Sequence, residues 1–379
     1  MSWVGWVAVS AGVLALVAVA LGLWVYRQQG RLRAQVAAVA PAGADAGQAP
    51  RGQLVAFVAN PSKPDVTSLR AAVRKAASEQ YLPEPLWFET TVEDPGVGQA
   101  REAVAAGADL VVAVGGDGTV RAVAEALAGT GVPMGLMPLG TGNLLARNLD
   151  VPLNDPIGAM QLAVDGQDKR IDVGWLRVLR HESEMDDDIA EAADDEPADT
   201  DEPRDHIFLV IAGLGFDAAM VADADDQLKA RMGWIAYFVA GVKHLHGRRL
   251  RVRVTLDDRP AQQVRLRSLL IGNCGRLPGG ITLLPDAVID DGVLDVAVID
   301  TRGGIAGWAQ LLGEVVLQGV GVRNELPNKI GRIDHARARE LHIEVAGGEH
   351  VQVDGDIVGR ARELTARVDP GALVVRVAR

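Results

Sequence analysis

Apolar and polar positions follow two different rhythms along this chain. In the first, short apolar runs end at turn residues and give way to stretches with helical spacing. Residues 53–59 (QLVAFVA) stop at Asn60-Pro61, which predicts a buried strand followed by a turn. Residues 66–80 predict a helix with Asp65 as its N-cap. A strand within 83–91, a helix over 98–106 and a second buried strand over 109–114 (DLVVAV) come next. A helix over 120–128, a short strand over 134–137 and a helix opening at Leu144 complete the series. Strands alternating with helices predict a parallel, doubly wound sheet: a Rossmann-like α/β domain over residues 52–168.

After Lys169 the rhythm is that of neighbouring strands separated by turn residues. Strands are expected over 170–179, 206–211, 248–256, 263–271, 293–299, 340–346, 351–354 and 372–377, with helical stretches at 225–246 and 305–320. This predicts a mostly antiparallel, β-rich, sandwich-like second domain over 169–379, so the fold class is α/β with a β-rich partner.

A third pattern opens the chain. Residues 3–26 carry no charge, and a helix of that length spans roughly 36 Å, enough to cross a ~30 Å hydrocarbon core with tilt. Trp3 and Trp6 lie at one end, Trp24 and Tyr26 at the other, and Arg27, Arg31 and Arg33 follow. The expectation is a transmembrane helix over 1–26, single-pass, with its N-terminus outside and the rest of the chain in the cytoplasm. A cleaved signal peptide would need a positive segment before Trp3 and a shorter apolar run. Residues 27–51, rich in Ala, Pro, Gly and Gln, read as a linker that keeps the following domain at the bilayer.

Composition changes this picture in two places. The formal net charge is −12, but residues 181–205 alone hold 13 Asp or Glu and one Arg. The remainder is therefore near neutral, and the total implies no nucleic-acid partner. The acidic run has the composition of a disordered insertion between two strands. The single cysteine, Cys274, excludes an intramolecular disulfide and fits a reducing compartment.

The candidate chemistry lies where strands end. Gly115-Gly116-Asp117-Gly118-Thr119 joins the 109–114 strand to the next helix. Glycines there let backbone amides approach a phosphate, and the helix N-terminus favours negative charge. Asp117 inside such a turn makes sense as a Mg²⁺ carboxylate. A second turn, Gly140-Thr141-Gly142-Asn143, also ends a strand, and two such turns at the carboxyl edge of one sheet suit a nucleotide. No GxxxxGK[ST] occurs, and no GxGxxG follows the first strand, so neither a P-loop nor a dinucleotide fingerprint is present.

Strand-GGDGT-helix followed by PLGTGNLLARNL resembles the diacylglycerol kinase catalytic domain family, specifically the bacterial soluble-type lipid kinases. Asn60-Pro61-Ser62, Ile171-Asp172, the segment 212–217 (AGLGFD), the segment 284–295 (LPDAVIDDGVLD) and Asp354-Gly355-Asp356 match the family's motifs in order. The resemblance implies transfer of the ATP γ-phosphate to a membrane-lipid hydroxyl at the bacterial inner membrane. The first acceptor is diacylglycerol, giving phosphatidate; a homodimer is left open. It also implies that Asn60, Ser62, Gly115, Gly116, Asp117, Gly118, Thr119, Gly140, Thr141 and Asn143 bind ATP. Asp117 and Asp172 would organise Mg²⁺ with Asp354 nearby, and Asp356 would be the general base. Asp291, with the carbonyls of Val288 and Val293, matches a second, structural metal site. Asp356 is one methylene shorter than the family's Glu, and Leu144 replaces an Asp found in many relatives. The alternatives are an NAD kinase, whose family shares GGDGT, and a non-catalytic lipid-binding scaffold on the same fold.

Overall fold

The computed structural model describes residues 53–64, 66–79, 83–181, 204–215, 249–276, 284–301 and 331–379. The 1–26 span, the 27–51 linker, the Asp65 cap, most of the 181–205 insertion and the helical stretches at 225–246 and 305–320 lie outside the described residues. Among the described residues no helix is long and apolar enough to cross a membrane.

Strands β1 (Val55–Ala59), β2 (Leu86–Glu89), β3 (Leu110–Gly115) and β4 (Met134–Pro138) pair in parallel in the order β2-β1-β3-β4. Every residue of β3 and β4 is buried, which is why they read as continuous apolar runs rather than alternating ones. Helices α1 (Val66–Glu79), α2 (Val97–Ala105), α3 (Asp117–Leu127), α4 (Leu144–Asn148) and α5 (Pro156–Asp165) come from the connections. The pattern of apolar positions did not announce α5. Its signal is local: Asp155 Oδ1 accepts from the Gly158 N–H at 3.0 Å, and Pro156 stands at the first helical position.

The β-rich half holds β5 (Gln167–His181), β6 (Asp205–Phe208), β7 (Ile211–Gly215), β8 (Leu250–Leu256), β9 (Gln262–Leu266), β10 (Ser268–Gly272), β11 (Leu294–Thr301), β12 (Gly331–Ala338), β13 (Glu340–Val353) and β14 (Asp356–Val377). Its ladders are antiparallel, as expected. Several boundaries differ from the pattern. The expected strands at 206–211 and 263–271 each divide in two, while 340–346 and 351–354 join into β13 through a register shift between Glu344 and Glu349. Gly347 and Gly348, both at positive φ, interrupt the alternation there.

The largest departure is β14. Only its last six residues were expected, yet it runs 22 residues and pairs with β13, with β5 and, at Val375–Met134, with β4. The two halves therefore share one hydrogen-bonded network instead of meeting as separate sheets. Two apolar cores accompany it. One surrounds the parallel strands, with Phe57, Leu110, Leu127 and Met134 fully buried; the other fills the β-rich half around Leu176, Phe208, Leu214 and Leu364.

Candidate functional site

Three turns leave the carboxyl ends of adjacent parallel strands. Asn60–Lys63 follows β1, Gly115–Thr119 follows β3 and Leu139–Asn143 follows β4. The chain passes from β1 outward to β2 and then returns to β3 on the other side, so the first two turns flank a point where strand order reverses. Ligands of open α/β sheets bind outside such a point. Asn60 Oδ1 accepts from the Ser62 N–H and hydroxyl at 3.0 and 2.7 Å, which shapes the first turn and leaves Ser62 exposed.

Asp117 welds the second turn to the third. Its Oδ2 accepts from the Asn143 N–H at 2.8 Å and its Oδ1 from the Leu144 N–H at 2.5 Å. The glycines answer this close approach. A Cβ on Gly142 would lie 2.5 Å from Asp117 Oδ2, and one on Gly140 would lie 2.7 Å from the Gly116 Cα. Asn143 is buried at positive φ, and its amide is spent within the turn, donating to the Gly140 carbonyl at 2.7 Å and accepting from the Gly140 N–H at 3.0 Å. Thr141 is exposed. Asn143 thus builds the loop, while Ser62, Thr141 and the glycine backbone face outward.

Burial raises the Asp117 carboxyl above the usual carboxylate range; the backbone N–H bonds pull it down and the nearby Asp356 pushes it further up. Each oxygen retains a lone pair beyond the one given to an amide. Mg²⁺ keeps most of its waters and takes one or two carboxylates with substrate phosphates, so Asp117 fits a Mg²⁺ that arrives with a nucleotide.

Asp356 reaches this place from the other half of the molecule. Asp354 and Gly355, at φ 48° and 92°, form the two-residue hairpin between β13 and β14, flanked by the pair Val353–Asp356. Asp354 is buried, and its carboxylate accepts from the N–H groups of Leu209, Val210 and Ile211 at 2.7, 2.9 and 2.9 Å. Burial pushes it up to about 6 despite these donors. It anchors the hairpin to the β6–β7 corner. Asp356 then projects toward α3: a Cβ on Gly118 would stand 3.9 Å from its Oδ2. Arg121 spans the gap, donating to Asp356 Oδ2 and to the Val353 carbonyl, each at 2.7 Å.

The structure does not gather the other metal candidates. Among the described residues, no three His, Cys, Asp or Glu side chains form a group able to hold a metal. Asp172 is buried and accepts from the Gly371 N–H through Oδ1 and the Gly292 N–H through Oδ2, at 2.7 and 2.6 Å. It clamps the bend of β14 to the turn before β11. Asp172→Ala should therefore cost about 2–4 kcal/mol of stability, since each of the two part-buried N–H groups left without its acceptor costs ~1–2 kcal/mol; urea unfolding of the variant measures it. At Asp291 the cation is a side chain. Arg337 donates to its Oδ2 and lies 3.4 Å from Asp295, while the Val293 N–H donates to its Oδ1. In this structure the cation that the Asp291 carboxylate meets is the Arg337 guanidinium.

Two basic residues escaped the motif reading. Arg121 lies four positions after Asp117, on the same helical face, a spacing that could have drawn attention to it. Lys63 follows Ser62, and its Cε stands 3.9 Å from the Cβ position of Gly116. Its ammonium has no acidic partner among the described residues. Nothing in the local sequence marks it, because the β1 and β3 turns meet only through strand pairing.

Residues 56–176 match the family model described as diacylglycerol kinase catalytic domain, and residues 210–377 match the YegS C-terminal NAD kinase beta sandwich-like domain. The chain is 33% identical over 318 residues to "Probable lipid kinase YegS-like" of Pseudomonas aeruginosa, covering 82% of this chain and 89% of that protein. It is 30% identical over 257 residues to a diacylglycerol kinase of Mycobacterium tuberculosis, covering 67% and 72%. The fold is shared with the crystal structure of a diacylglycerol kinase from Bacillus anthracis, at TM-score 0.61 and 21% identity over 86% of this chain and 97% of that one.

Proposed function

The chain belongs to the diacylglycerol kinase catalytic-domain family of YegS-like lipid kinases and is an ATP-dependent phosphotransferase, and we propose that it transfers the γ-phosphate to the hydroxyl of diacylglycerol at the membrane surface. The observation that carries this reading is the meeting of Asp356 with the Gly115–Thr119 turn. A carboxylate from the β-rich half stands over the phosphate-binding edge of the α/β half.

In this reading ATP lies along the carboxyl edge of β1, β3 and β4. Ser62 and Thr141 border it, and the amides at the start of α3 face its phosphates. Asp117 would hold a Mg²⁺, which would supply charge compensation to the phosphates. An alcohol with a pKa far above 7 attacks slowly, and Asp356 accepts its proton as the oxygen bonds to phosphorus and the bond to ADP breaks. The 1–26 span tethers the enzyme beside its substrate and faces the kinase to the cytoplasm; this part of the proposal rests on the apolar run and the arginines after it.

Lys63 should belong to the nucleotide side. Lys63→Ala is expected to raise the KM for ATP about tenfold, equivalent to ~1.4 kcal/mol of a charged hydrogen bond, with kcat nearly unchanged. An unchanged KM would mean that the ammonium does not reach the phosphates.

The direct test incubates the full chain with labelled ATP, Mg²⁺ and a total lipid extract, with Asp117→Ala alongside. Label that migrates as phosphatidate and is absent with the variant supports diacylglycerol as acceptor. Label on another lipid moves the assignment to that lipid, and no labelled lipid despite ATP binding overturns the proposal.

A further inference from the structure

Asp356 begins a strand at the surface, and its side chain is 58% exposed. A short carboxylate in that position has no packing to hold it in one rotamer, and freedom of that kind is costly in a group that must meet a hydroxyl at one angle. It also stands near Asp117, whose like charge would drive it outward.

Arg121 answers both problems. Its side chain is 22% exposed, rooted on α3 one turn beyond Asp117. The guanidinium fork makes two bonds of 2.7 Å, one to the Val353 carbonyl and one to Asp356 Oδ2. Val353 and Asp356 are the two residues that flank the hairpin turn. One rigid, planar group therefore grips both strands of the hairpin and fixes the carboxylate through a single oxygen. Oδ1 is left for another partner.

We propose that Arg121 is the positioning residue for Asp356: it ties the hairpin to the phosphate-binding helix and aims Oδ1 at the acceptor hydroxyl. The inference rests on the reading of Asp356 as proton acceptor. It also accounts for how a side chain one methylene shorter than the family's Glu is held in working position. The tether comes from the helix of the α/β half, so the carboxylate is referenced to the phosphates rather than to its own strand.

The test is a kinetic cycle with Arg121→Ala, Arg121→Lys, Asp356→Asn and the Arg121→Ala/Asp356→Asn double variant, assayed with ATP and diacylglycerol-containing vesicles. Arg121→Ala is expected to lower kcat about 10–100-fold, the cost of misplacing a reacting group by about an ångström, with the KM for ATP changed less than about threefold. Arg121→Lys keeps the charge but cannot span both acceptors, so it should recover part of the loss. In the Asp356→Asn background the arginine change should cost less than about twofold, because there is no proton acceptor left to position. A raised KM for ATP with kcat intact would make Arg121 a phosphate ligand and overturn the proposal, as would losses that multiply in the double variant. If the wild-type chain binds ATP and labels no lipid, the proposed function fails by itself. Thermal unfolding of Arg121→Ala, Asp356→Asn and the double variant then decides the tether, with coupled losses supporting it and additive losses overturning it.

Discussion

Asp117→Ala will lower lipid phosphorylation about 10³-fold or more and will weaken the fold as well. The chemical loss follows from the proposed role: without the carboxylate, Mg²⁺ loses its protein ligand, and transition-state charge on the phosphoryl group is left without compensation of the kind typically worth ~10²–10³-fold or more. The structural loss follows from the two bonds that Asp117 accepts from Asn143 and Leu144. Removing the acceptor leaves two part-buried N–H groups facing a void, at about 2–4 kcal/mol in total. Read from the motif alone, this substitution would leave the fold intact; the geometry makes it a double lesion. Asp117→Asn sharpens the point. Its amide accepts from one N–H but turns its own NH₂ toward the other, so it too should be destabilised. Urea unfolding beside the kinase assay measures both effects. Full activity with either change would remove Asp117 from the Mg²⁺ site.

Asp356→Asn is the second large effect, and its signature is the opposite. The side chain is exposed and sits in no packed core, so stability should move little beyond the bond to Arg121. An amide has no useful basicity, so kcat should fall by about 10²–10⁴-fold, the range of general-base catalysis. The KM for ATP should stay within about threefold, because Asp356 acts on the acceptor and not on the nucleotide. An unchanged kcat would put the base elsewhere. Asp356→Glu restores the length found in the family but meets an arginine placed for the shorter side chain. The paired outcome of that change with and without Arg121 would show whether the two residues work as a unit.

Much of the α/β half was legible in advance because its central strands, β1, β3 and β4, are buried on both faces. A run such as 110–114 has no polar residue inside it, and the turn that follows is written in glycine. The Gly115–Thr119 turn could be placed without coordinates, since a strand end and a helix start are both local events. The β-rich half was harder. β14 begins with residues that alternate poorly and carries Arg360, Arg362, Glu363 and Arg367 along its length. Pairing with β13 on one side and β5 on the other holds it extended, and that support comes from positions far away in sequence.

The carboxylates divide along the same line. The motifs singled out Asp117, Asp172, Asp291, Asp354 and Asp356 alike, and all five are engaged. Only their surroundings separate them. Asp172 and Asp354 end on backbone N–H groups and hold the frame. Asp291 ends on Arg337. Asp117 binds the two glycine turns together, and Asp356 reaches Arg121 on the same helix from the β-rich half.

The sequence by itself determined the alternation of strands and helices, the position of the glycine turns, the family and the phosphoryl-transfer chemistry it carries. The elements and turns are each written within a dozen neighbouring residues, through periodicity and turn propensity, and the family in the order of short motifs from Asn60 to Asp356. Only the packed chain shows which carboxylate is left exposed and which braces the backbone, and only strand pairing brings Lys63 beside the Gly116 turn. A side chain's role depends on what it is buried against: β1–β3 pairing sets Lys63 beside the Gly116 turn, and Asp356 reaches Arg121 only because the β13–β14 hairpin brings it across from the other half.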